Sequence, residues 1–121
     1  MNIDREAIAA ALTGVDKVTG YAYRPKSPKL GDAWPLIDTI NRYQGLMFIP
    51  AWKVQMWLGQ DERKADAFLE LVAVPVARAL QTADVLFVNT VQPVILPTEA
   101  GDVFGAEFTG DALSVDNALG V

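Results

Sequence analysis

The chain has 121 residues, 51% hydrophobic and 21% charged, with a net charge of −5, no Cys and no His. Without His and Cys there can be no Ser–His triad, thiol nucleophile, disulfide or zinc site built on those ligands. An acidic balance also has the wrong sign for sequence-independent binding of nucleic acid, which needs a basic stripe. The length fits one domain over residues 1–121, and the apolar share is high for a soluble domain, so part of that surface is expected to lie between molecules.

Asn2 or Asp4 can cap a first helix whose apolar positions Ile8, Ala11, Leu12 and Val15 recur at helical spacing, with Asp4 and Glu6 at its positive end and Gly14 as its stop. This start is too charged for a signal peptide. Residues 18–24, with Val18, Thr19, Tyr21 and Tyr23, read as a short strand. Residues 24–35 hold three prolines and a glycine among Arg24, Lys26, Lys29 and Asp32, and read as a long basic arm or loop.

Residues 36–43 and 46–58 read as a hairpin turning at Gln44 and Gly45, where glycine supplies the positive φ of a tight turn. In its second strand Leu46, Phe48, Trp52, Val54, Met56 and Leu58 are expected on one face and Lys53 and Gln55 on the other. Pro50 cannot donate to a ladder and is expected on an edge or at a bulge. Residues 61–83 read as the main helix, with a stripe of Ala65, Phe68, Leu69, Val72, Val76, Ala79 and Leu80, and with Pro75 expected to kink or split it. Residues 85–96 and 103–109 read as a second hairpin joined by the turn 97–102, and the tail 111–121 is expected to fray unless a neighbour holds it. No apolar stretch approaches the ~20 residues that span a bilayer, so no membrane contact is expected.

The order predicts an α+β fold, a mainly antiparallel sheet with two helices packed on one face. Its other face is expected to present Met47, Ile49 and Trp57, with Trp34 or Tyr43, as an apolar interface. The alternative places these side chains inside the monomer's own core. Long strands with uncovered edges would permit sheet continuation between subunits.

No catalytic, cofactor-binding or metal-binding set emerges. Ser27 and Ser114 lie in no nucleophile elbow, and Gly101, Gly105 and Gly110 match no phosphate-binding motif. A carboxylate-dependent hydrolase or magnesium nuclease would have to draw on Asp32, Asp38, Asp102, Glu107 and Asp111, although most acids in a soluble chain are solvated surface. Trp34, Trp52 and Trp57 could line a small-ligand pocket, although three tryptophans in one core are commoner. Arg24, Lys26 and Lys29 form a basic arm in an acidic chain and could reach an acidic patch on a neighbour; the alternative is a solvated loop.

Several phrases, Asn2-Ile3-Asp4-Arg5-Glu6-Ala7-Ile8-Ala9, Tyr21-Ala22-Tyr23-Arg24-Pro25, Gly31-Asp32-Ala33-Trp34-Pro35, Trp52-Lys53-Val54 and Gln60-Asp61-Glu62-Arg63, carry a family likeness. Over residues 2–110 the chain resembles the tail terminator proteins of long-tailed bacteriophages, especially those infecting actinobacteria. Other head-to-tail connector or neck proteins, adaptors and stoppers, share similar α+β domains. The resemblance implies a homo-oligomeric ring, a hexamer, that caps the tail tube, ends its polymerisation and joins the tail to the head. Its implied partners are further copies of itself, the tail tube protein and the neck proteins, with genomic DNA passing through the lumen without specific binding. Its implied place is the virion at the tail–neck junction, and the host cytoplasm during assembly. The expected contact residues are Arg24, Lys26, Lys29 and Trp34 in the arm, Met47 and Trp57 on the sheet, and Pro97, Glu99 and Asp102 in the turn.

Overall fold

A computed structural model describes residues 5–112. The elements are α1 (Arg5–Thr13), β1 (Thr19–Gly20), β2 (Asp32–Gln44), β3 (Met47–Gly59), α2 (Glu62–Thr82), β4 (Leu86–Thr98) and β5 (Gly101–Ala112). The strands form one sheet in the order β1-β2-β3-β5-β4, in which β1 runs parallel to β2 and every other neighbouring pair is antiparallel. The fold is α+β, as the pattern of elements predicts. The proposed caps at Asn2 or Asp4, and the tail beyond Ala112, lie outside the described residues.

Side chains alternate across β3 because successive residues of a strand face opposite ways. Trp52, Val54, Met56 and Leu58 point to the helices and join Ile8 and Leu12 of α1, Ala65, Val72, Val76 and Leu80 of α2, and Ala106 and Phe108 of β5 in the main core. Both helices therefore cover the same face. Asp61 caps α2, its carboxylate accepting from the Lys64 N–H at 3.0 Å. The far end closes with two backbone bonds of 3.0 Å, from the Asp84 N–H to Gln81 O and from the Val85 N–H to Leu80 O. Asp84 takes the left-handed conformation there at φ 61, and Leu80 and Val85 are both buried beside it. This is a Schellman ending in which Asp occupies the site that glycine fills most readily.

Three expectations change. Pro75 does not split α2, which runs unbroken from Glu62 to Thr82; the proline is on the exposed side, where the Leu71 carbonyl that loses its donor can turn to water. The strand over 18–24 shrinks to Thr19–Gly20, and the chain bends away at Ala22 and Tyr23, ahead of Pro25. The arm ends sooner than residue 35, since Asp32–Pro35 open β2 and are buried. Gly31 makes that join at φ 90: its N–H donates to Trp57 O at 2.9 Å and its carbonyl accepts from the Thr19 N–H at 3.1 Å, and a Cβ would sit 2.4 Å from Lys17 O.

The two hairpins point in opposite directions. The β2–β3 turn at Gly45 (φ 57) is at one end of the sheet, and the β4–β5 turn at Gly101 is at the other, beside the arm. β5 pairs with β3 only over Val54–Gly59, so the remainder of the β2–β3 hairpin is a two-stranded ribbon.

Replacing Asp84 with Gly removes the left-handed penalty at the helix end and should stabilise the fold by about 0.5–1 kcal/mol. Urea titration followed by circular dichroism measures it, and a midpoint that falls would contradict the cap.

Candidate interaction surfaces

At the arm end the uncovered face of the sheet carries a second, smaller cluster of Trp34, Leu96 and Val103, with Tyr21, Leu36, Trp57 and Val94 packed against it. The arm folds over this cluster. The Arg24 guanidinium is 5.6 Å from the Trp34 ring and 5.5 Å from that of Trp57, within cation–π range of both. A second arginine fastens the arm from the helix side. Arg5 Nη1 donates to Ala22 O at 3.1 Å and Pro35 O at 2.8 Å, and its guanidinium is 4.3 Å from the Tyr23 ring and 5.4 Å from that of Trp52.

This geometry corrects one of the expected contact residues. Trp34 is 1% exposed and belongs to the core, because it opens a strand and not a loop. Arg24 stays exposed, with one side of its guanidinium against the chain's own indoles. Trp57 is half-buried beneath it. Lys26 and Lys29 remain exposed; the Lys29 backbone is tied to Asp32, whose carboxylate accepts the Lys29 N–H at 2.9 Å.

The structure does bring the arm and the β4–β5 turn together. Arg24 and Lys26 face Pro97, Thr98, Glu99 and Ala100 across an open cleft of about 880 Å³, and Asp102 sits opposite Pro97 in the ladder. Met47 lies apart from this group, at the turn of the other hairpin. The three tryptophans do not line one pocket, nor do they share one core: Trp52 is in the main core and Trp34 and Trp57 in the smaller cluster, with the sheet between them.

Of the candidate carboxylates, Asp32, Glu107 and Asp111 serve local structure. Glu107 accepts from Gln55 Nε2 at 2.7 Å and lies 3.6 Å from Lys53 Nζ, and Asp111 accepts from Asn89 Nδ2 at 3.0 Å. Among the described residues no three such side chains converge as metal ligands would.

Sequence reasoning missed the exposed apolar side chains Ile37 (41%) and Ile40 (48%) of the ribbon, and it set Leu46 on the face of Trp52, whereas Leu46 lies in the turn and is 64% exposed. It also missed a groove of about 620 Å³ between α2 and β4, lined by Val74, Ala77, Arg78, Val88 and Val91 among others. Ile37 and Ile40 were readable as strand residues, but their sharing one face depends on the extra residue between them at Asp38, where the β2–β3 register shifts.

The sheet edges carry a pattern of their own. A proline within a strand has no N–H to give, so it must turn its nitrogen away from its ladder partner. Pro35 on β2, Pro50 on the part of β3 beyond β5, and Pro93 and Pro97 on β4 all satisfy this by facing an open edge. Strand addition is blocked at those points.

No family model, curated protein or solved structure matches the chain. No helix among the described residues is long and apolar enough to cross a membrane.

Arg24→Ala should release the arm from the two indoles at a cost of about 0.5–1 kcal/mol. Tryptophan emission should shift to the red, and trypsin should cut faster after Lys26 and Lys29. Unchanged emission and cleavage would show that the cation does not hold the arm.

Proposed function

We propose that this chain is a structural subunit that assembles with copies of itself into a ring, caps the tube of a phage tail and joins it to the head. The observation that carries the reading is the separation of two unlike surfaces to opposite ends of one sheet. The arm and the β4–β5 turn form a charged cleft at one end, and the β2–β3 ribbon presents Leu46 at its turn towards the other, with Ile37 and Ile40 along its side. A subunit that stacks between a tube below and a neck above needs distinct contacts at its two ends, and lateral apolar contacts to close on itself. The family likeness of residues 2–110 supports the same role, and an acidic subunit suits a lumen that DNA crosses without adhering.

Purified protein, alone and mixed with tail tubes, tests this by light scattering and negative-stain microscopy. Closed rings, or a cap on tube ends, are the expected result. A monomer that neither closes nor binds tubes would overturn the proposal, and a ring located elsewhere in the neck of an intact particle would assign it to an adaptor or stopper.

Because Arg24 is engaged within the chain, the arm's part in docking is better tested at Lys26 and Lys29. Reversing both to Glu should weaken cap formation on tubes in low salt while leaving the melting temperature unchanged. Equal capping by both proteins across a salt series would make the arm a solvated loop.

A further inference from the structure

We infer that copies of this chain join edge to edge, the outer edge of β2 in one copy pairing antiparallel with the outer half of β4 in the next, so that the sheet continues from subunit to subunit. The inference rests on the self-assembly reading above and specifies the contact that would carry it.

Prolines decide which parts of the two outer edges are open. β2 and β4 face outward at opposite sides of the sheet, apart from the two residues of β1 that pair with Asp32 and Ala33. Pro35, together with Arg5 bonded to its carbonyl, closes the arm end of the β2 edge, and Pro93 and Pro97 close the arm end of β4. What remains free of proline is residues 37–44 of β2 and residues 86–92 of β4. Both stretches lie at the same end of the sheet, and they run in opposite directions. A neighbour related by rotation about an axis roughly along the strands therefore presents its β4 antiparallel to β2, with the two open stretches level.

The register follows from the same constraint. Since Pro35, Pro50 and Pro93 turn their nitrogens to open edges, alternation along the strands turns Ile37, Ile40 and Arg42 outward on β2 and Val91, Val88 and Leu86 outward on β4. Each stretch contains one extra residue, Asp38 on β2 and Asn89 on β4. The two irregularities coincide when Ile40 faces Val88 of the next copy. Ile37 then faces Val91 and Arg42 faces Leu86, and the ladder stops where Pro35 meets Pro93. All these outward residues of both strands also lie on the helix-covered side. The exposed Ile37 and Ile40 therefore enter the groove that Val74, Ala77, Val88 and Val91 line beside β4. A second copy is the occupant because the same molecule carries both the projecting isoleucines and the groove that receives them, in a head-to-tail arrangement that can close into a ring.

The chain has no cysteine of its own, so Ile40→Cys with Val88→Cys in one full-length chain reports this contact directly. Hydrogen-bonded antiparallel pairs hold Cα atoms about 5.5 Å apart, inside the range of a disulfide. Oxidised protein, alone and on tail tubes, should give a ladder of linked multimers on a non-reducing gel, with neither single variant linking. Rings without a ladder would overturn this contact and leave the ring reading intact. Dimers from Ile40→Cys alone would also overturn it, by showing a twofold contact between β2 edges. No assembly under any condition would overturn both readings. As a second variant, Ile40→Pro removes only an outward donor; it should keep the circular dichroism spectrum and lose assembly, and rings that still form would refute the pairing.

Discussion

Helices cover one face of this sheet and not the other, and most of the molecule follows from that asymmetry. Trp52, Val54, Met56 and Leu58 obtain their burial from α1 and α2, a contribution of roughly 1.5–3 kcal/mol for each large side chain removed from water. The residues between them face the far side, where no helix lies. Trp34, Trp57, Leu96 and Val103 form a second cluster there at one end only, and the arm must fold around the sheet to cover it.

That requirement explains how the arginines are used. A proline-rich loop forms few backbone bonds of its own, so its position depends on side chains that reach back to the sheet. Arg24 supplies such contacts on the far face and Arg5 on the helix face, each setting its guanidinium over two aromatic rings. A planar, weakly hydrated cation can lie against indole and phenol rings without giving up the water on its other side. The basic arm is thus first a lid over the chain's own tryptophans, and only Lys26 and Lys29 project from it without such a contact in the structure.

Edge protection is the second organising constraint. A sheet with open edges offers unpaired N–H and C=O groups to any passing strand. The prolines of β2 and β4 close the arm end of both outer edges of this sheet and leave the ribbon end of those two edges open, which converts a general hazard of sheets into a directional one. An extra residue at Asp38 brings Ile40 onto the helix side that Ile37 already occupies, so the open edge is also an apolar one.

Local chemistry determined much of this from the sequence alone. Periodicity marked α2 and the two long hairpins, Asp61 marked the start of the main helix, and the missing donor of Pro50 marked an edge, because each depends on residues close together in the chain. The tertiary structure decided what depends on distant partners. Trp34 and Pro35 look like loop residues until β3 pairs beside them, and Pro75 looks like a break until its missing bond falls on the solvent side of a helix that the core already holds. Arg24 and Lys26 could be named as contact residues from their charge, but only the fold could set them across a cleft from Glu99 and engage Arg24 with two indoles. The exposed faces of Ile37 and Ile40 were hidden for the same reason. One extra residue in a strand reverses which side every later side chain takes, and that shift is written in the pairing of two strands and not in either one.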